Sequence, residues 1–254
     1  MREILLLETI YGPFWQDHIT YFRDKIRNLF DQLDIEIDLI TLTESGNIYI
    51  RFTGLDEEFA FNLLKKEFHV CKNLTEFEVN SEVYGKLIQV GKYGFGIFTN
   101  IGAIYNDTFT DALIPLHKLR EQLMENRKIS TRKIIDIYGL INNMPIKLLI
   151  TDIDINEYKI EASLSKDQLL LFNKWINNEM EIINICGVLK SKIVKVLNQT
   201  NHKRDIKEIK ELGLFEYSLI CKPGTEAPGI ISHIGSRLPG IEMNAFIPER
   251  IRSI

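Results

Sequence analysis

The chain has 254 residues, 45% of them hydrophobic and 26% charged, with a formal net charge of −4. This composition supports buried cores in roughly one to three domains and excludes long disordered tracts. The charge is uneven: residues 1–80 hold 8 basic and 15 acidic side chains, 81–168 hold 11 of each, and 169–254 hold 12 basic and 9 acidic, so any surface for a phosphate backbone is expected in the middle or last third.

The N-terminal stretch MREILLLETIYGPF has a short apolar run broken by Glu8 and lacks a secretory core. No run approaches the roughly 18 apolar residues of a membrane span, so a soluble, cytoplasmic protein with no membrane partner is expected. Cys71, Cys186 and Cys221 are too scattered for a disulfide framework and are expected to be buried, inert thiols. His18, His69, His117, His202 and His233 show no metal-ligand spacing. No metal and no cofactor is expected.

The first unit, residues 1–80, opens on an apolar strand at Glu3–Thr9. Ile19, Phe22, Ile26, Leu29, Phe30 and Leu33 then recur at helical spacing, which predicts a helix over 14–33. Ile35–Leu42 alternates as a strand, TESGN turns, and Ile48–Phe52 returns. A helix over 56–68 and a strand at 75–79 complete the order of a ferredoxin-like α+β domain.

The middle unit, residues 81–166, predicts strands at 83–90, 95–101 and 111–115. Helices over 116–126 and 130–140 follow, the second capped by Ser130, and a hairpin over 146–153 and 158–164 closes the unit. Five strands with a helical insertion after the third are the order of a five-stranded OB-fold barrel. The glycine-rich run VYGKLIQVGKYGFGIFTNIG fits this reading, because a small barrel must coil its first strands sharply. Gly85, Gly94 and Gly96 would serve closure, and Gly102 would turn the chain out of the second strand. Tyr93, Phe95 and Phe98 would stand on an open face where bases stack. Phe95 and Phe98 share a face only if the strand bulges, most simply at Gly96; otherwise one of them is core.

The last unit, residues 167–254, repeats the first unit's pattern without residue-level identity. Strands are predicted at 182–186, 205–211, 214–222 and 241–247, with helices over 190–199 and 228–238, a second ferredoxin-like α+β domain.

The central segment resembles the RNA-binding OB module repeated in the largest bacterial small-subunit ribosomal protein and present in polynucleotide phosphorylase. Gly85-Lys86-Leu87-Ile88 with Phe95-Gly96-Ile97-Phe98, Asp111–Leu116, Leu148–Asp154 and Ile160–Ser165 carry the resemblance in order. Where that family often has a histidine after its third strand, this chain has Pro115, with His117 two residues on. The whole chain resembles an archaeal family of conserved proteins of unknown function, through this module, HKRDIKEIKELGLF and GTEAPGIISHIGSRLPG. The resemblance implies an RNA-binding-type barrel and names no activity.

Beside the aromatic face, His117, Lys118, Arg120, Arg127, Lys128, Arg132 and Lys133 form a basic group on the insertion, placed to hold phosphates. A secondary patch, Lys190, Lys192, Lys195, Lys203, Arg204 and Lys207, is either a phosphate contact or a solvated helix face. The loop KPGTEAPG is either an anion site with Arg237 or a helix start capped by Thr225. Asp152 and Asp154 alternate on one strand, could share a face and read as turn-flanking charges; no nucleophile–base set accompanies them. The expectation is a non-catalytic RNA-binding accessory factor of translation or transcription, binding single-stranded RNA. The alternative is an adaptor that docks on a ribosomal or RNA polymerase protein without touching RNA.

Overall fold

The computed structural model describes residues 1–253. In the first unit β1 (Arg2–Thr9), α1 (Trp15–Phe30), β2 (Ile35–Leu42), β3 (Asn47–Gly54) and α2 (Glu57–Glu67) build an antiparallel sheet in the order β1-β3-β2. Period-2 alternation puts Ile4, Leu6, Ile48, Ile50 and Phe52 on one face, where Phe22, Ile26 and Phe30 of α1 and Ala60 and Leu64 of α2 cover them. The place of a fourth strand is taken by residues 69–71. Leu6 bridges Val70, the Leu7 amide donates to the His69 carbonyl at 2.7 Å, and the Cys71 amide donates to the Leu5 carbonyl at 2.9 Å.

The strand expected at 75–79 does not form. Asn73 and Glu76 make a reciprocal capping box around a 3₁₀ turn at Leu74–Glu76, and Leu74 is buried in the barrel core. Local side-chain capping outcompetes the sheet here. The two residues before the turn, β4 (Lys72–Asn73), pair in parallel with the second barrel strand.

The barrel consists of β5 (Glu82–Ile88), β6 (Gly96–Tyr105), β7 (Thr108–Pro115), β8 (Pro145–Asp154) and β9 (Lys159–Leu164), with α3 (Leu116–Leu123) and α4 (Thr131–Tyr138) inserted after β7. β5 pairs antiparallel with β6 and β8, β6 with β7, and β8 with β9, and a parallel β7–β9 contact closes the ring. This is OB-fold connectivity. Gly85 and Gly96 serve closure: a Cβ at Gly85 would lie 2.5 Å from Thr99 Cγ2, and one at Gly96 would lie 2.4 Å from the Ile114 carbonyl oxygen. Two glycine assignments need correction. Gly94 faces open space, and Gly102 sits inside β6 at a bulge rather than at its end. Ser130 caps α4 through the Lys133 amide, as expected.

A helix not anticipated from sequence, α5 (Lys166–Asn177), follows β9 and is capped by Ser165. Its Phe172 and Trp175 pack on Tyr138 and Phe246. In the last unit β10 (Ile182–Cys186), α6 (Lys190–Gln199), β11 (Ile206–Glu211), β12 (Glu216–Cys221), α7 (Ala227–Gly235) and β13 (Glu242–Phe246) form an antiparallel sheet in the order β11-β12-β10-β13, the ferredoxin-like arrangement. A short α8 (Pro248–Arg252) ends the described chain. All five residues of β10 are buried, because α6 and α7 cover one face of the sheet and α4 and α5 cover the other. Asn184 crosses that second contact, donating to the Gly139 carbonyl at 2.9 Å and accepting from Ser218 at 2.7 Å.

One ionic contact joins all three units. Lys86 of β5 and Glu216 of β12 pair at 2.8 Å with side chains 4% and 0% exposed. The Tyr11 hydroxyl donates to the same Glu216 oxygen at 2.7 Å, and the Phe215 amide donates to the other at 3.1 Å. Burial, and then Glu216, push the Tyr11 hydroxyl well above its ordinary range. Nearby, His18 is fully buried and stacked on Phe215 at 4.2 Å, and neither ring nitrogen has a partner among the described residues.

Breaking the ion pair from one side leaves a buried charge alone. Lys86→Met is expected to cost about 3–5 kcal/mol, and Lys86→Met with Glu216→Gln markedly less. Urea denaturation of the two variants checks this, and equal losses would show that the charge itself is not what matters. Burial lowers the His18 pKa from its ordinary 6.5. Below that value the unfolded chain takes up a proton that the fold refuses, so stability falls as pH drops through the range below 6.5 and this group contributes no slope above it. His18→Phe should remove up to about 1.4 kcal/mol per pH unit of that slope. Denaturation curves across this range decide it, and an unchanged slope would assign the acid sensitivity elsewhere.

Candidate nucleic-acid interface

The β5–β6 connection, residues 89–95, rises from the rim of the barrel. Its backbone is tied at three points. The Val90 amide donates to Asn142 Oδ1 at 2.9 Å, Thr131 Oγ1 donates to the Gly94 carbonyl at 2.6 Å, and the Leu116 amide donates to the Phe95 carbonyl at 2.8 Å. The first residues of both insertion helices thus hold the loop from below. Its side chains point elsewhere: Tyr93, Phe95 and Phe98 make a mutual cluster with ring centroids 5.3–6.0 Å apart. Phe95 is 55% exposed and the other two are half-buried.

The three rings meet without a bulge at Gly96. β6 begins at Gly96 and pairs in regular register from Gly96↔Pro115 to Thr99↔Ala112. Phe95 precedes the strand and is free of its alternation, so it folds over to Phe98. Neither ring is core.

From Phe98 the aromatic surface continues along β6 and β7. A trough of about 460 Å³ is lined by Phe98, Tyr105, Phe109 and Asp111, and Tyr158 of the β8–β9 turn closes its far end. Tyr105 and Tyr158 lie 5.0 Å apart. Burial pushes the Asp111 carboxyl above the usual carboxylate range. Tyr105, Phe109, Asp111 and Tyr158 were not anticipated as site residues. The signal was present: aromatics bracket the turn at Asn106-Asp107, where both residues have positive φ, and another sits in NEYK.

The basic residues divide. His117, Lys128, Arg132 and Lys133 are exposed. Lys118 pairs with Glu121 at 3.4 Å and Arg127 with Glu125 at 3.3 Å. Arg120 is structural in part, because its Nε donates to the Ile129 carbonyl at 2.7 Å and holds the loop between the helices. Asp111 lines the trough, and Asp154 beside the β8–β9 turn accepts the amides of Asn156 and Glu157, the turn-flanking role expected of it.

The secondary patch is largely spent on internal contacts. Lys190 pairs with Glu211 at 2.9 Å. Lys192 pairs with Asp17 at 3.3 Å and lies 3.2 Å over the Phe14 ring. Lys207 reaches Met180 Sδ at 3.8 Å, and Arg204 lies 3.9 Å from Asp205. Lys195 and Lys203 are exposed. At the start of α7 Thr225 is not the cap: Glu226 takes that position, and the Ala227 amide donates to Glu181 at 2.6 Å. The chain's own carboxylate therefore occupies the place proposed for an anion. Cys186 and Cys221 are buried and Cys71 is half-buried; burial pushes the Cys71 and Cys221 thiols up to about 12. Among the described residues no group of three or more His, Cys, Asp or Glu side chains is placed to hold a metal ion, and no helix is long and apolar enough to cross a membrane.

Fold and surface together define an OB barrel, set between two ferredoxin-like units, with an aromatic strip along β6 and β7. The chain belongs to the DUF2110 family, whose function is unknown. Its N-terminal domain model matches residues 3–83, its central domain model 77–176 and its C-terminal domain model 180–246. The central match takes in α5. No curated protein matches the chain significantly.

The Thr131–Gly94 bond is the shortest of the three ties under the loop. Thr131→Val should raise amide hydrogen exchange across residues 90–95 several-fold, for a loss of about 1 kcal/mol. Unchanged exchange would show that the other two ties suffice.

Proposed function

We propose that this protein binds single-stranded RNA along the β6–β7 face of its barrel, as a non-catalytic accessory factor of translation or transcription in the cytoplasm. The observation that carries this reading is the continuous aromatic strip, from Phe95 and Tyr93 through Phe98 to Tyr105 and Tyr158, on an uncovered barrel face. Ring faces stack any base at about 1–3 kcal/mol each, and a duplex would keep its bases out of reach. Lys128, Arg132 and Lys133 are exposed on the insertion and would hold phosphates. The resemblance of the central segment to RNA-binding OB modules points the same way; the resemblance of the whole chain to an archaeal family implies no activity. The acidic first unit favours a second reading, a protein adaptor docking on a basic ribosomal or polymerase protein.

Fluorescence anisotropy with short single-stranded RNAs at low and moderate salt separates the two. Binding is expected to weaken with salt at a slope near −2, about 0.7 for each of three phosphate contacts. Phe95→Ala with Phe98→Ala should weaken it at least tenfold, about 1.4 kcal/mol or more, with circular dichroism unchanged. No binding by the intact protein at low salt would reject the RNA reading and favour the adaptor.

A further inference from the structure

Ring faces stack any base, so an aromatic strip alone reads no sequence. The trough on the β6–β7 face also holds a group of another kind. Among the described residues Asp111 is the one acidic side chain of its lining, which includes no lysine or arginine. Asp111 is half-buried, and its oxygens are not among the buried side-chain atoms that lack a partner, so its carboxyl is open to the trough. Burial alone shifts its titration; no charged group or hydrogen bond of the described residues contributes. The carboxyl is therefore both accessible and unengaged.

Its neighbours follow from strand geometry. Alternation along β7 turns Thr110, Ala112 and Ile114 inward and leaves Phe109, Asp111 and Leu113 on the outer face. Phe109 and Asp111 thus stand side by side on one face, roughly 7 Å apart along the strand. The other rings of the trough already have partners: Tyr105 lies against Tyr158, and Phe98 against Tyr93 and Phe95. The Phe109 ring contacts no other ring among the described residues and is half-buried in the trough wall. A free ring face beside an unengaged carboxyl suits a flat ligand that stacks on one and donates to the other.

A carboxylate offers two acceptor oxygens side by side and no donor. Of the four RNA bases only guanine carries two adjacent N–H donors on its Watson–Crick edge, at N1 and at the N2 amino group, and so meets both oxygens at once. Adenine and cytosine set one amino group beside a ring nitrogen acceptor, and uracil flanks its single N–H with two carbonyls. Each of these turns lone pairs toward the carboxylate. We propose that Asp111 selects guanine, which stacks on Phe109 and donates from N1 and N2 to the Asp111 carboxylate. The proposal rests on the single-strand reading above: the strip takes any base by stacking, and the trough reads one of them.

Fluorescence anisotropy of the full chain with short single-stranded oligouridines tests this, the central base being uridine, guanosine, inosine or adenosine. The uridine flanks let the strand slide until the variable base reaches the trough. The guanosine strand is expected to bind about tenfold or more tightly than the adenosine strand. Inosine lacks the N2 amino group and should lose most of that advantage. Asp111→Asn exchanges one acceptor oxygen for an N–H donor and should bring the guanosine-to-adenosine ratio to about one. Equal affinity for guanosine and adenosine strands, equal affinity for guanosine and inosine strands, or a guanine preference that survives Asp111→Asn would overturn the proposal and leave the single-strand reading standing. No binding of any strand at low salt would overturn both. The four strands on the unaltered chain decide the matter even where Asp111→Asn does not fold.

Discussion

The arrangement of the three units depends on a charge that cannot be left alone. Lys86 lies on the first barrel strand, with its ammonium group withdrawn from water. The barrel by itself offers it no anion. Glu216, equally buried, belongs to another unit, and Tyr11 of a third completes its shell. A shift of the barrel against the last unit that kept either group buried would leave its charge without a counterion, which is far costlier than a lost apolar contact. The hydrophobic contacts between units supply much of the attraction, but they are tolerant of small shifts. The ion pair, with its directed tyrosine and amide bonds, fixes one geometry.

That geometry decides which barrel faces remain open. β5 and the start of β8 are turned toward the junction, and Tyr84 donates to the Leu212 carbonyl at 3.1 Å. The insertion helices and α5 are covered by the sheet of the last unit through Phe246 and Asn184. Residues 72–73 pair with β6 at Ala103 and Ile104, and the trough lined by Phe98, Phe109 and Tyr158, where the aromatic strip lies, stays open.

Much of this architecture is legible in sequence, for a physical reason that differs by element. β2, β10 and α6 have the limits predicted for them, β2 and α6 from their period and β10 from a short apolar run. The helix α5 is hidden because Leu169, Leu170, Leu171 and Phe172 form an unbroken apolar run, in which Leu170 is 57% exposed. The contest at residues 73–76 is also invisible to periodicity, because a capping box and a strand draw on similar residues. Of the candidate site, Tyr93, Phe95 and Phe98 could be named from the glycine-rich run. Tyr105 and Tyr158 are visible only as aromatics beside turns; that two hairpins far apart in the chain bring them together is not. Lys86 reads as a surface residue in GKLI; nothing local shows that Glu216, 130 residues away, will bury it.

The composition of the strip also constrains what it can hold. A surface built to grip a phosphate backbone by charge would concentrate lysine and arginine and would accept any polyanion. Here the middle unit is neutral overall, most of its cations are paired or structural, and the trough lining holds Asp111 but no lysine or arginine. Attraction must then come from ring faces, which act over short range and need unstacked bases. On the proposed reading, such a surface would reject duplexes because their bases are not presented, and would tolerate sequence because every base has a face to stack. Selection for single strands would then come from the rings, with exposed cations such as Lys128 and Arg132 adding backbone contacts that carry no sequence information.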